Sequence, residues 1–207
     1  MGEIYPFPWP LANTCTGGLH PGTLTCIYSK VAKGKSYTAI HIAITGAQSA
    51  IAEPVLIAVG KPSMPILVER IGQLVPDLEV GSLFSVSITL DNDLDSVISD
   101  IENTVEQHNP GLLVVDEIPV RRMLPFSQRL KEIASKHNIA VLMTEQVPRT
   151  RLPRVCPYQD LSFQIDNGNV PMSRIVKSIK VREGRRFIFR INFSINPADF
   201  SATNEIL

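Results

Sequence analysis

Cysteine is scarce, and its placement suits neither a crosslinked nor a metal-bound scaffold. The 207 residues hold three, Cys15, Cys26 and Cys156, an odd number with no Cys-x-x-Cys pair. Neither a disulfide framework nor a zinc site is suggested, and a reducing, cytoplasmic setting fits. Net charge is also missing, because 20 Lys and Arg balance 20 Asp and Glu. The protein as a whole therefore has no attraction to nucleic acid or membrane, although the sum says nothing of local patches. No run of about eighteen uncharged apolar residues occurs, so no membrane span and no membrane partner are expected. The opening MGEIYPFPWP lacks the basic start and apolar core of a signal peptide. Pro6 stands where a myristoylation signal wants Ser or Thr. No internal repeat or low-complexity segment is visible. With 44% hydrophobic residues, the length suits one sizeable soluble domain and is short for two.

Against these absences stands GTLTCIYSKVAKGKSYTAIHIAI, from Gly22 to Ile44. An apolar, β-branched run from Thr23 to Tyr28 leads into a short loop and then a helix-compatible segment. Strand, tight loop and helix in that order are the layout of a phosphate-binding P-loop. The pattern asks for Gly, four residues, then Gly-Lys-Ser or Gly-Lys-Thr. Here Ser29 stands at the first glycine and Gly34-Lys35-Ser36 completes the second half. Gly34 lets backbone amides close around a phosphate at a helix N-terminus, where the dipole favours anions. Lys35 is suited to reach β and γ phosphates, and the Ser36 hydroxyl to ligate Mg²⁺. The candidate nucleotide-binding set is Ser29, Lys30, Val31, Ala32, Lys33, Gly34, Lys35, Ser36 and Tyr37. The competing reading is a lysine-rich surface turn, and the rest of the chain has to decide between them.

Residues 1–15 are rich in Pro and aromatics and are expected to form an arm without regular structure, since Pro6, Pro8 and Pro10 oppose a helix. Tyr5, Phe7 and Trp9 read as packing anchors more readily than as a nucleotide-stacking site. A helix from about Lys35 to Ala50 ends before Pro54, and Val55 to Val59 is a strand buried on both faces. Ser63 caps a helix through Leu74, with Ile66, Leu67, Ile71 and Leu74 on one stripe. Phe84 to Leu90 is a strand. Asp93 opens a helix carrying Leu94, Val97, Ile98, Ile101 and Val105 at helical spacing, and Asn109-Pro110-Gly111 stops it. Leu112 to Val115 is a strand running into Asp116-Glu117. A helix over Pro125 to His137 turns Phe126, Leu130, Ile133 and Ala134 inward, and Ile139 to Met143 is a strand running into Thr144-Glu145-Gln146. Leu161 to Ile165, Arg174 to Val181 and Arg186 to Phe193 complete the strands, the last two as an antiparallel hairpin. The expected fold is α/β: a mostly parallel twisted sheet with helices on both faces and a C-terminal antiparallel hairpin. Residues 16–195 form the domain and 196–207 a tail.

Sites on such sheets lie at the carboxyl ends of the strands, and three ends stand out. An apolar strand ending in Asp116, about eighty residues after the P-loop lysine, suits a nucleotide-bound Mg²⁺, the carboxylate acting through water while Ser36 acts directly. The bland role for Asp116 is a turn or cap residue. Glu117 beside it is a candidate general base or water-orienting group for attack on a γ-phosphate, the alternative being a solvated loop carboxylate. Gln146 is a candidate γ-phosphate sensor, the alternative being a structural amide.

TGGLHPGTLTCIYS followed by KGKS resembles the start of the RecA-like ATPase core of RadA/KaiC proteins and DnaB-type replicative helicases. GLLVVDE resembles the Walker B strand of that family, VLMTEQV its sensor strand, and IKVREGRR its late Lys-x-Arg strand. The resemblance runs from about Thr16 to Phe193. It implies a RecA-like fold, ATP and Mg²⁺ as ligands, ATP hydrolysis, and assembly with itself into a ring hexamer or filament. It also implies that Lys180 and Arg182 act on an ATP held by the adjacent subunit; otherwise they form a basic strand edge. In the family, loops after the Walker B and sensor strands touch nucleic acid, and here those loops hold Arg121 and Arg122, then Arg149, Arg151 and Arg154. Five arginines form a positive patch suited to phosphates, or else a rim for acidic residues of a neighbouring subunit. Tyr158 is placed to stack on a base or to pack. Two departures bear on turnover: Ser29 replaces a glycine, and VLIAV runs into Gly60-Lys61-Pro62 where the family usually has a catalytic glutamate. The resulting expectation is an ATPase acting on nucleic acid as a helicase, translocase or recombinase-like enzyme. The alternative is a KaiC-like or degenerate RecA paralogue, a nucleotide-binding regulatory or assembly subunit with little turnover.

Overall fold

The computed structural model describes residues 3–49, 54–60, 63–74, 83–88, 93–116, 123–169, 172–195, 198–199 and 201–206. The chain enters through Tyr5, which bridges to Leu19, and through helix α1 (Pro10–Thr16). The expectation of no regular structure over residues 1–15 is thus corrected. Pro10 sits at the helix start, where the missing N–H has no intrahelical partner to lose. Gly17 ends the helix at φ 78°.

Strands and helices then alternate: β1 (Leu24–Ser29), α2 (Lys35–Gln48), β2 (Val55–Gly60), α3 (Met64–Leu74), β3 (Leu83–Ile88), α4 (Leu94–His108), β4 (Leu112–Asp116), α5 (Met123–His137) and β5 (Ala140–Gln146). After β5 come β6 (Leu161–Asn167), β7 (Ser173–Val181) and β8 (Ile188–Asn192). The short β9 (Ser194–Ile195) and β10 (Ala198–Asp199) pair with each other, and β11 (Ala202–Ile206) adds to β8. The nine-stranded sheet has the order β11-β8-β7-β6-β1-β5-β4-β2-β3. From β3 through β6 the pairings are all parallel, and β6–β7, β7–β8 and β8–β11 are antiparallel. The mostly parallel α/β sheet and the late hairpin are as expected; the C-terminal tail adds an edge strand that periodicity did not reveal.

Two cores flank the sheet, because β1, β2 and β4 are buried along their whole length and alternate side chains to either face. One face packs Ile27, Val114 and Leu142 against Ile40 and Ile44 of α2 and Leu67 of α3. The other packs Cys26, Leu113 and Met143 against Ile98 and Ile101 of α4 and Phe126 and Leu130 of α5. The stripe expected on α3 is narrower than its spacing suggests: Leu67 is buried and Ile71 and Leu74 partly so, while Ile66 is exposed. Asp93 caps α4 through the amides of Asp95 and Ser96. The N-terminal aromatics are core residues: Tyr5, Phe7 and Trp9 are buried, and Trp9 meets Phe163 and Phe189.

Candidate nucleotide-binding site

In strand order β5 lies between β1 and β4, and the parallel register brings their carboxyl ends to one edge, with Ser29 beside Gln146. Between β1 and α2 the chain makes a tight loop with Ala32 at φ 58° and Gly34 at φ 91°. A side chain on Gly34 would land in the Phe193 ring, so this glycine is required by both backbone and space. Gly34 is the N-cap of α2, and its carbonyl accepts the first helical bond from Thr38 N at 2.9 Å. No acidic residue occupies the first turn. The amides of that turn and the helix dipole make this end suited to an anion.

The loop lines a depression of about 400 Å³ formed by residues 29–37 together with Arg70, Gln146 and Phe193. At its base the Ser36 hydroxyl donates to Asp116 Oδ1 at 3.2 Å, and Lys35 Nζ stands 3.4 Å from Ser36 Oγ. Asp116 is 1% exposed. Its Oδ1 also accepts the Thr144 hydroxyl at 2.6 Å, which fixes the carboxylate from the β5 side. A hydroxyl and a carboxylate converging beside an ammonium are hard oxygen donors, and this set fits Mg²⁺ held with a phosphate. Ser36 and Asp116 are the residues that would hold it.

The residues expected at strand ends separate into three groups. Ser29 to Tyr37, Asp116 and Gln146 come together at the one edge, with Gln146 exposed on the cavity wall. Glu117, Arg121 and Arg122 lie outside the described residues. Lys180 and Arg182 stand at the opposite edge, since Val181 pairs with Leu161 and Asp160 N bonds Leu24 O at the start of β1. There Arg182 pairs with Asp160 at 2.7 Å, and Lys180 donates to the carbonyls of Cys156 and Pro157. Asp160 is a hub, also accepting from Leu24 N and Lys131.

Arg149, Arg151 and Arg154 are exposed on the segment that leaves β5. That segment is pinned to the α4–α5 face of the sheet. The Tyr28 hydroxyl lies 2.9 Å from Gln159 Oε1 and 3.1 Å from the Arg154 carbonyl, and Ser162 donates to the same Gln159 oxygen. Tyr158 is partly buried. Glu145 pairs in register with Tyr28 and points to this face, away from the loop. Burial pushes its carboxyl up to about 7, against a smaller downward pull from the Tyr28 hydroxyl. Its Oε2 has no partner among the described residues.

Four residues around the loop escaped sequence reasoning. Thr144 was legible in principle, two positions before Gln146 and therefore on the same face of β5. Arg70, Arg174 and Phe193 carry no local signal, because their approach depends on strand order. Arg174 Nε donates to the Lys33 carbonyl at 3.2 Å and its guanidinium lies 4.3 Å from the Phe193 ring centroid. Arg70 stands 5.3 Å over the Tyr37 ring. No protein-family model matches the chain, and no curated protein matches it either.

Proposed function

We propose that this chain binds and hydrolyses ATP with Mg²⁺ as a RecA-like, self-assembling enzyme acting on nucleic acid. The observation that carries the reading is the 3.2 Å contact between the P-loop hydroxyl of Ser36 and the buried carboxylate of Asp116, 80 residues away at the end of β4. A surface turn rich in lysine has no reason to meet a buried aspartate. Nor would it open a helix whose first amides face a cavity.

In this reading the amides of Lys33 to Ser36 hold the phosphates, and Lys35 neutralises charge between the β and γ groups. Mg²⁺, which Ser36 and Asp116 would hold, would supply charge neutralisation on the phosphates. Gln146 lies on the cavity wall, where a γ-phosphate would meet it. Glu117 follows Asp116 directly and is the candidate base. Lys180 and Arg182 are remote from this chain's own loop, so their action on ATP requires a second copy. The exposed Arg149, Arg151 and Arg154 supply phosphate contacts for a nucleic acid, a sum of charges that salt would screen.

The test is a titration of Mg²⁺ with a non-hydrolysable ATP analogue, followed by steady-state hydrolysis with and without single-stranded DNA or RNA. Binding lost in Lys35→Ala, and hydrolysis stimulated by nucleic acid in the parent but not in Arg151→Ala, are the expected results. No analogue binding by the parent would sink the reading. A second reading, a nucleotide-binding regulatory subunit with little turnover, is favoured by one observation: β2 ends at Gly60 and continues as Lys61-Pro62, with no carboxylate. Tight analogue binding with no product in a single-turnover assay would select it.

A further inference from the structure

We infer that Arg174 and Phe193 form a latch that holds the phosphate-binding loop in its ligand-ready shape. The purpose of the latch rests on the nucleotide-binding reading; its mechanical content does not. The loop needs outside support. It opens with Ser29 where the pattern has glycine, and it carries Ala32 in the left-handed region that residues with a side chain seldom adopt. Its first residue is held through the bond from Val147 N to Ser29 O at 2.8 Å.

Its crest is held from the late hairpin. Arg174, near the start of β7, donates to the Lys33 carbonyl at 3.2 Å. Phe193, just past β8, packs its ring edge where Gly34 has no side chain. The two gripping groups are themselves fixed. Arg174 Nη1 donates to Ser173 O at 2.8 Å, Phe193 N donates to Met172 O at 2.7 Å, and the guanidinium covers the ring at 4.3 Å. Tyr37, in the first turn of α2, meets the same ring edge-on at 6.3 Å. Phe193 is 7% exposed, so it has little surface left to offer a nucleobase. That burial makes it a support for the loop's backbone and not a stacking platform. Arg174 acts likewise on a carbonyl, orienting the loop without presenting its charge to the cavity wall.

A loop held in shape before binding spares the ordering cost at binding, so releasing it weakens any ligand that the backbone amides grip. Two measurements test this: hydrogen–deuterium exchange over residues 30–36 without ligand, and titration with Mg²⁺·ATP and with Mg²⁺·tripolyphosphate, which has no base. Phe193→Ala and Arg174→Gln are expected to speed exchange at the loop about tenfold. They should weaken both ligands by the same factor, also about tenfold. Phe193→Tyr, which keeps the ring, should behave as the parent. If Phe193→Ala does not fold, Arg174→Gln carries the test, with Arg174→Lys as a variant that retains the charge but not the guanidinium. Unchanged exchange overturns the inference. So does a loss of ATP affinity with tripolyphosphate unaffected, which would make Phe193 a base platform. A parent that binds neither ligand while the variants still exchange faster leaves the latch standing and removes the nucleotide reading.

Discussion

Asp116 takes two hydroxyls on one oxygen, from Ser36 and from Thr144, and its neighbours on β4 are apolar and buried. In the proposed reading this buried carboxylate serves through its charge. Asp116→Asn preserves shape and removes that charge, so ATP affinity measured with Mg²⁺ should fall at least about tenfold, a loss of roughly 1.4 kcal/mol. Affinity measured without metal should hardly move. Gly34→Ala makes a different demand, since the new methyl meets the Phe193 ring at a positive φ. Denaturant titration should show a loss of about 1–3 kcal/mol. Adding Phe193→Ala should restore only the steric part of it. Glu145 gives a pH signature. Its folded value near 7 lies above the ordinary 4.5, so folding takes up a proton between those values. Its stabilising contribution is complete below about 4.5 and is lost as pH rises towards about 7. Glu145→Gln should flatten that slope, as unfolding midpoints at pH 5 and pH 8 would report. The residues legible in the sequence, Lys35, Ser36, Asp116 and Gln146, are those whose neighbours in the chain announce a strand end. Arg174 and Phe193 were not legible, because they reach the loop across the sheet from residues more than a hundred positions later.

At the level of elements, the eight strands β1 to β8 and the amphipathic helices were readable because apolar runs and helical spacing are local properties. Asp93 and Asn109 bracket α4 as cap and stop, and both are visible in the sequence. The N-terminal segment departs from the expectation because a proline opposes a helix only in its interior, and Pro10 stands at the first helical position, where it starts one. The consequence is energetic. Trp9 is fully buried among Phe7, Phe163 and Phe189, so Trp9→Ala should cost about 3–5 kcal/mol in denaturant unfolding. A segment lying on the surface as an arm would lose far less. The edge strand β11 was missed for the opposite reason: ATNEI has no alternation strong enough to announce itself.

Across the whole molecule, the edge bearing the β1–α2 loop and the edge bearing Lys180 and Arg182 face opposite ways. Among the described residues no helix is long and apolar enough to cross a membrane. The separation of edges permits a complementation experiment. Lys35→Ala leaves the basic edge intact and Arg182→Ala leaves the loop intact. Each alone should fail to hydrolyse ATP, and an equimolar mixture should recover part of the activity if the arginine serves a neighbour's site. A mixture as inactive as its components would remove Arg182 from that role. Because Arg182 also pairs with Asp160, melting curves of each variant have to accompany the assay.

Strand β7 joins these two edges. Arg174 near its beginning touches the chain's own loop, and Lys180 near its end belongs to the far rim. Between them lie six residue steps of a strand bonded to β6 with one register shift, between Ser178 and Lys180, and to β8 over its first half, about 20 Å at roughly 3.3 Å per step. The register shift leaves Ile179 without a counterpart on β6, so the strand and this irregularity together set the distance between the two ends. Any repeating array that used both ends would take its spacing from this one strand. Lengthening a surface loop would leave that spacing unchanged, while one residue inserted into β7 would turn Lys180 to the other face of the sheet.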